Sequence, residues 1–269
     1  MPSRSRAILL MTVLTAAGCG GDSPSNPNPN PTPSPTAAPT PAPVPPPVSN
    51  ADLVLLMHMD EAAWSGAANE VGDTSGLAHH GTAVAGATTA AGRFGRGGSF
   101  PGGAGCVTVP DRADLRPDDA LTLSLWMNPN AVGQTDLGVI AKRISFLQDS
   151  AYALYVDPRG ALGIDVDTED NRFFTGTGVV ANGRWTHVAI VYGGGIATAY
   201  VNGSPAAQSA DSARSLTPFR SPLWIGCLPL GTPAQGFSGL LDEVAIWHRA
   251  LSAGEVTALA NATGPIANP

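Results

Sequence analysis

The amino-acid sequence predicts an all-β fold: a sandwich of two antiparallel sheets, with a short helix after the last strand. Turn-forming residues recur about every 8–15 residues, and apolar positions almost nowhere follow the helical period. Valine, alanine and glycine dominate the segments between the turns. Residues 51–264 are numerous enough for one large sandwich with its own core.

A predicted hairpin forms the centre of this fold. Asn182-Gly183 opens it and Asn202-Gly203 closes it, because both dipeptides tolerate the positive φ of tight turns. Three glycines, 193–195, make the reversal between its two strands. The first strand is apolar on both faces, which is typical of a strand in the middle of a sheet. We therefore expect further strands on either side of it.

The first 18 residues are typical of an export signal. Two arginines precede an apolar stretch, residues 7–17, that is too short to cross a bilayer. Leu14 to Cys19 resembles a bacterial lipobox, in which the cysteine receives a diacylglycerol thioether. We expect residues 1–18 to be a lipoprotein signal peptide and Cys19 to be lipidated. The alternative is an ordinary secretory peptide cut at the same small residues.

Residues 19–50 are predicted to be a disordered linker. Within 20–50, 12 of the 31 residues are proline, and Asp22 is the only charge. Such a segment cannot bury enough apolar surface to fold. Dense proline favours extended polyproline II at about 3.1 Å per residue, so the linker could reach on the order of 90 Å. It would lift a folded domain off the membrane that holds the lipid.

The charge balance excludes some partners. The whole chain has a net charge of −7, and removal of the signal, with its two arginines, leaves 12 basic and 21 acidic residues, or −9. This argues against nucleic acid as a partner and against electrostatic adhesion to anionic lipid. We expect an exported protein of the bacterial cell envelope, on the outer membrane or the cell surface, that meets the membrane only through its lipid anchor.

The remaining elements follow from local patterns. Leu121 to Asn128 alternates apolar and polar residues, as a strand does. Ser252 to Glu255 is a capping box, so residues 253–260 should form a helix. We interpret the glycine-rich residues 95–105 as a loop. The predicted strands are 52–59, 81–92, 106–109, 120–128, 139–143, 151–157, 161–167, 172–176, 185–192, 196–201, 221–227 and 239–248.

Five stretches, in this order, carry a resemblance to a known family. They are Leu121–Trp126 (LTLSLW), Gly183–Ala189 (GRWTHVA), Tyr200–Gly203 (YVNG), Leu223–Gly226 (LWIG) and Phe237–Val244 (FSGLLDEV). The chain from 51 to 260 resembles laminin-G-like jellyroll domains of the concanavalin A-like lectin and glucanase fold. The resemblance implies a jellyroll. It does not fix the function, because that fold carries lectins, adhesins, appended modules and hydrolases.

Two acidic residues raise the possibility of catalysis. Asp165 and Glu169 would share one face of a strand with Asp167, and retaining glycosidases use two carboxylates about 5–5.5 Å apart. Laminarinase-type relatives begin a similar motif with glutamate, whereas Asp165 has a shorter side chain. We expect a non-catalytic binding or adhesion module, not an enzyme, with carbohydrate or a surface protein as ligand. A glycoside hydrolase using Asp165 and Glu169 is the alternative.

Other polar and aromatic candidates have structural explanations. His187 lies on the apolar central strand, so we interpret it as a hydrogen-bonded core residue, and His79-His80 as loop residues. Trp64 falls in a loop and could be an exposed platform for a sugar. Four further tryptophans fall in predicted strands and should belong to the core.

Two cysteines remain once Cys19 is lipidated. Cys106 and Cys227 both fall in predicted strands of an exported protein, where oxidation is expected. We predict that they form a disulfide.

A structural calcium ion is predicted at Asp60 and Asp242. Asp60 ends the first strand, Asp242 lies in the last long strand, and in the jellyrolls that this chain resembles those strands run close together. Two neighbouring carboxylates repel unless a cation joins them, and calcium takes 6–8 oxygens, backbone carbonyls included. The glycine-rich residues 97–103 could supply such carbonyls. The alternative is that each aspartate caps a turn.

Overall fold

The structure is a computed structural model that describes residues 47–143, 150–166, 168–209, 216, 218, 220–228 and 235–269, with the backbone alone at 150 and 168–171. The predicted signal peptide, Cys19 and most of the predicted linker lie outside these residues. So do Asp167 and the side chain of Glu169.

Strands make up almost all of the regular structure described. In chain order they are β1 (Leu53–Met57), β2 (Thr82–Val84), β3 (Thr88–Ala91), β4 (Arg96–Pro101), β5 (Cys106–Val109), β6 (Ala120–Pro129), β7 (Leu137–Arg143), β8 (Ser150–Val156), β9 (Leu162–Val166), β10 (Thr168–Phe174), β11 (Thr186–Gly193), β12 (Ile196–Val201), β13 (Ser204–Gln208), β14 (Leu223–Ile225), β15 (Cys227–Leu228), β16 (Gln235–Gly236) and β17 (Ser238–Trp247). A short 3₁₀ turn spans Ala113–Leu115, and the helix α1 spans Ala253–Ala260.

The strands form two large antiparallel sheets, as the sequence predicts. In the described residues, the first has the order β13-β12-β11-β6-β17-β4-β3, with β1 also on β17, and the second has the order β10-β9-β8-β7-β14-β5-β2. The predicted central hairpin is β11-β12, and β11 pairs with β6 along its whole length, from Thr186–Met127 to Gly193–Ala120. Its residues 186–192 are buried, so the prediction of a central strand is confirmed.

Strand β17 changes partner halfway along its length. Its first half, Ser238 to Leu241, pairs with β4, and its second half, Val244 to Trp247, pairs with β1. A bulge lies between the two halves, and Glu243 there has a φ of 52°. A non-glycine residue in this conformation is strained, which is tolerated where the surrounding structure fixes it. The junction places Asp242 at the gap between β1 and β4.

The main core lies between the two sheets. Side chains from both sheets alternate into it, Leu55, Leu123 and Ile246 from one and Leu154 and Ile225 from the other. Burial of such side chains supplies most of the stability, at about 25 cal/mol per Å² of apolar surface removed from water.

The predicted helix covers the opposite face of the eight-stranded sheet. Its Val256 and Leu259 pack in one cluster with Trp247. The capping box is confirmed: the Ser252 hydroxyl accepts from the backbone N–H of Glu255, and the Glu255 carboxylate accepts from the backbone N–H of Ser252. No helix in the described residues is long and apolar enough to cross a membrane.

The predicted disulfide is confirmed. Cys106 on β5 and Cys227 on β15 are bonded, with their Cα atoms 5.6 Å apart. Both residues are buried. The bond attaches the two-stranded ribbon β15-β16 to the seven-stranded sheet.

Interpreting residues 95–105 as a loop was wrong for half of the segment. Arg96 to Pro101 form β4, which lies between β17 and β3. A Cβ on Gly98 would lie 2.8 Å from Met59 and Phe100 side-chain atoms, so glycine is needed there for close packing rather than for a loop. Strand β13 was not predicted either, because it is exposed, short and contains Pro205, as edge strands often do.

Candidate functional site

Strands β8, β9 and β10 carry a cluster of aromatic and charged side chains on the face that points away from the main core. The alternation along the strands shows this: Ile164 on β9 and its partner Leu154 on β8 belong to the core, so the neighbouring Tyr155 and Asp165 point the other way. We call Tyr155, Asp165, Arg172 and Phe174 the outer patch. Two of its residues lie on β10, which is at the edge of the seven-stranded sheet in the described residues.

The aromatic part of the outer patch is built on a glycine. A Cβ on Gly163 would overlap the Tyr155 ring, so the ring rests directly on the backbone of β9. Phe174 meets this ring edge-on, with centroids 6.1 Å apart at 87°, and the Arg172 guanidinium lies 5.8 Å from its centroid. Phe174 is 43% exposed, whereas Tyr155 is buried. Burial raises the pKa of Tyr155 to about 12, so its hydroxyl is neutral near pH 7.

Asp165 lies beneath this surface in a tight ionic cluster. Its Oδ2 accepts from Arg143 Nη1 at 2.9 Å and from Arg172 Nη2 at 3.0 Å, and its Oδ1 accepts from Arg172 Nε at 2.6 Å. The Asp165 side chain has no exposed surface. Charge-assisted bonds of this kind are strong, and breaking a buried pair is costly. Asp165 therefore positions Arg172 beside Tyr155.

One carboxylate next to the outer patch has no hydrogen-bond partner among the described residues. Asp136, immediately before β7, is half-buried, and burial together with the nearby Asp157 raises its pKa. Asp157 differs, since bonds from backbone N–H groups and from Arg159 lower its pKa despite burial. The Asp136 oxygens are therefore available as acceptors for the hydroxyl groups of a ligand.

Asp60 and Asp242 come together at the turn between β3 and β4, residues 92–95. Asp242 accepts hydrogen bonds from three backbone N–H groups, two of them those of Arg93 and Phe94 at 2.7 and 2.9 Å. Asp60 accepts from the Arg96 N–H at 2.6 Å, at the other end of the turn. Burial raises the pKa of Asp242 to about 7, although the N–H groups oppose this.

These contacts fit the alternative to calcium binding, in which each aspartate caps a turn. In the described part of the chain, no group of three or more His, Cys, Asp or Glu side chains is arranged to hold a metal ion. The Asp242 oxygens accept from N–H groups. A calcium ion would have to compete with these N–H groups for the carboxylate and would need further oxygen ligands. The predicted calcium ion stays a prediction.

The neighbouring Glu243 ties down the C-terminal residues. Its Oε1 bonds His58 Nδ1 at 2.7 Å and its Oε2 accepts from the Ile266 N–H at 2.6 Å. His58 Nε2 in turn bonds Asn268 Oδ1 at 2.8 Å. The hydrogen bond to Glu243 raises the pKa of His58 to about 9.

Comparison with protein families assigns the fold to a superfamily. A family model described as the concanavalin A-like lectin/glucanases superfamily matches residues 101–257, more than half of the chain. The chain belongs to the concanavalin A-like lectin/glucanase superfamily. No curated protein matches the sequence.

Solved structures of this superfamily's fold cover about four fifths of the chain. Domain 4 of AbnA, an extracellular arabinanase from Geobacillus stearothermophilus solved with arabinotriose, is 20% identical, with a TM-score of 0.60 over 78% of this chain and 98% of that one. The binding domain of Paraclostridial Mosquitocidal Protein 1 is 16% identical, with a TM-score of 0.61 over 79% of this chain and 52% of that one. Trypanosoma rangeli sialidase is 19% identical, with a TM-score of 0.59 over 78% of this chain and 32% of that one. At these identities the likeness shows the fold alone.

Other residues singled out from the sequence have structural roles in this concanavalin A-like domain. Trp64 is 6% exposed and packs edge-on against Phe100, so it offers no platform at the surface. His187 is buried; its Nε2 bonds the Ser124 hydroxyl at 3.0 Å, and burial lowers its pKa to about 3. His80 Nδ1 accepts from the Asp73 N–H within its loop.

Sequence reasoning singled out Asp165 only as a possible catalytic carboxylate; it predicted neither its burial between two arginines nor the aromatic neighbours. Tyr155 lies on β8, whereas Arg172 and Phe174 lie on β10, and their approach depends on the register of β8-β9-β10. The one signal in the sequence was Gly163, a glycine inside an apolar strand, which often marks a place where another group comes close to the backbone.

Proposed function

We propose that this protein is a non-catalytic carbohydrate-binding module, and that a sugar binds at the outer patch. The observation that carries the proposal is the exposed Phe174 ring, which meets Tyr155 edge-on and is bordered by Arg172 and by Asp136, a carboxylate with no hydrogen-bond partner among the described residues. Sites for small ligands combine apolar or aromatic surface with a few fixed polar groups. The patch has both, on strands rather than on loops.

The chemistry of the patch suits a sugar. An aromatic ring packs against the C–H face of a pyranose or furanose, while charged planar side chains bind its hydroxyl groups. Arg172 is preorganised by Asp165, so little side-chain freedom is lost when a ligand binds. The likeness to domain 4 of the arabinanase, which was solved with arabinotriose, makes arabinan one of the glycans to test first.

The contacts of Asp165 favour binding over hydrolysis. A nucleophile must reach the anomeric carbon, whereas Asp165 has no exposed surface and both its oxygens are bonded to arginine. This supports the proposal that the module is not an enzyme. A polysaccharide hydrolysis screen tests it directly: turnover that disappears in Glu169→Gln would establish the hydrolase instead.

A glycan array on the purified chain, followed by affinity measurements on each hit, tests the binding function. We expect Phe174→Ala to weaken binding roughly two- to tenfold, since an aromatic contact contributes roughly 0.5–1.5 kcal/mol. Ile196→Ala is the matched control, because Ile196 is 38% exposed and lies on β12 of the other sheet. Equal weakening by both changes, or binding of a surface protein and no glycan, would contradict the proposal.

We further propose that the module is exported and lipid-anchored through Cys19, with residues 19–50 as its stalk. The basic, apolar and small-residue order of the first 19 residues supports this. A lipid anchor with an extended linker would place a sugar-binding domain where extracellular polysaccharide can reach it.

A further inference from the structure

The turn at residues 92–95 presents a cation with no ionic partner in the described part of the chain. Arg93 is exposed, and its guanidinium carbon lies 4.4 Å from the Trp126 ring centroid and 5.2 Å from that of Phe94. No carboxylate among the described residues forms an ion pair with it. Stacking on a ring occupies the face of a guanidinium and leaves the N–H donors in its plane available.

The backbone beneath Arg93 is fixed. Asp242 accepts from the N–H groups of Arg93 and Phe94, and Asp60 accepts from that of Arg96. Gly95 completes the turn at a φ of 61°. Arg93 is therefore held at both its backbone and its side chain, and rigid presentation of this kind lowers the entropy lost on binding.

A groove lies beside this cation. It has a volume of about 480 Å³, and Arg93 and Phe94 form one wall. Residues 260–263, where α1 ends, form the other wall, with the exposed Asn261 and Thr263 as hydrogen-bonding groups. This volume falls within the range of small-molecule sites. The groove is polar, open and next to an aromatic ring.

We infer that this groove binds the carboxylate group of an acidic sugar, a uronic acid residue, through Arg93. A planar guanidinium binds a carboxylate with two parallel hydrogen bonds, and Phe94 offers its ring to the sugar. The partial negative charge at the C-terminal end of α1 opposes an anion, but that effect fades within one turn and is weaker than a bidentate ionic bond. The site is separate from the outer patch and does not depend on it.

The test is a titration of the ¹⁵N-labelled full chain with D-glucuronate and with D-glucose, which has the same ring without the carboxylate. We expect saturable shifts of the Phe94 and Thr263 amide signals with glucuronate and none with glucose. Arg93→Gln should abolish the shifts, whereas Arg93→Lys, which keeps the charge but not the fork, should weaken binding several-fold. Arg184→Gln is the control, because Arg184 is exposed and has no ring contact in the described residues.

Four outcomes would overturn the inference. One is the absence of saturable shifts with glucuronate at tens of millimolar. A second is equal binding of glucose, and a third is undiminished binding by Arg93→Gln. The fourth is acetate binding as tightly as glucuronate, which would show that the groove holds a carboxylate without recognising a sugar. Arg93 is exposed and its ring contacts contribute little at such a site, so its variants should melt within roughly 4 °C of the wild type. A melting curve of each variant then confirms that loss of binding is not loss of fold.

Discussion

Removal of the Cys106–Cys227 disulfide should destabilise the domain strongly. The two cysteines are 121 residues apart in sequence, so the bond closes a long loop in the unfolded chain. The chain-entropy relation for a loop of this length gives about 5 kcal/mol at 25 °C. A domain of ordinary stability has about 5–15 kcal/mol in total, so the bond contributes a third of it or more.

The assay is thermal and urea unfolding of the Cys106→Ala/Cys227→Ala variant beside the oxidised wild type. For a domain of this size each kcal/mol shifts the melting temperature by roughly 2–4 °C, so we expect a decrease of roughly 10–20 °C. The reduced wild type, with its thiols kept free, separates loss of the bond from loss of the sulfur atoms. It should melt close to the double variant.

The reasoning would be refuted by a double variant that melts within about 3 °C of the oxidised wild type, since that is less than the effect of 2 kcal/mol. Such a result would mean that the unfolded chain is already compact enough for the cross-link to remove little entropy. Thiol titration of the denatured, unreduced domain gives the preliminary check. No free thiol is expected in it.

Four further predictions concern single carboxylates and the anchor. Burial raises the pKa of Asp242 to about 7 in the folded state. Its contribution to the free energy of unfolding is therefore complete below about pH 4 and is lost as the pH rises through about 7. Asp242→Asn should remove this part of the pH dependence of the free energy of unfolding, measured by urea unfolding at several pH values. If calcium binds Asp60 and Asp242, a chelator should lower the melting temperature and calcium restore it, and a melt indifferent to both would end the calcium prediction. Asp165→Asn should cost about 3–5 kcal/mol of stability, because it removes the buried carboxylate that accepts from both Arg143 and Arg172, and a variant as stable as wild type would contradict this. Radioactive palmitate should label the wild type and not Cys19→Ser; equal labelling would exclude lipidation there.

The fold could be predicted from the sequence because its signals are local. The turn dipeptides around the β11-β12 hairpin, the alternation in β6 and the capping box at Ser252 each act within a few residues. The errors fall where local signals mislead. The sequence of β4 indicates a loop because it contains glycines, but Gly98 is there to let Met59 and Trp64 pack close to the strand, and both lie more than 30 residues away in sequence.

The candidate site was harder to predict, because its residues meet only through strand register. Asp165 was noticed as one of a row of acids, but its two arginines lie on β7 and β10, and no spacing in the sequence relates them. The apparent catalytic signal and the ionic cluster involve the same carboxylate. Only the hydrogen-bond partners of Asp165 distinguish a catalytic carboxylate from a structural one, and those partners are brought together by the fold.

The contacts of Asp242 follow from the change of partner along β17. Between the half of β17 that pairs with β4 and the half that pairs with β1, Asp242 meets the turn at residues 92–95, whose Arg93 and Phe94 N–H groups need an acceptor because a buried N–H without one is costly. The Asp242 carboxylate supplies the acceptor oxygens, but its own burial is unfavourable for the charged form, and this raises its pKa. A cation there must compete with three N–H groups for the oxygens of Asp242, whereas Asp60 accepts from a single N–H, that of Arg96. We therefore expect any calcium response to depend more on Asp60 than on Asp242, and melting curves of Asp60→Asn and Asp242→Asn with and without calcium measure that difference.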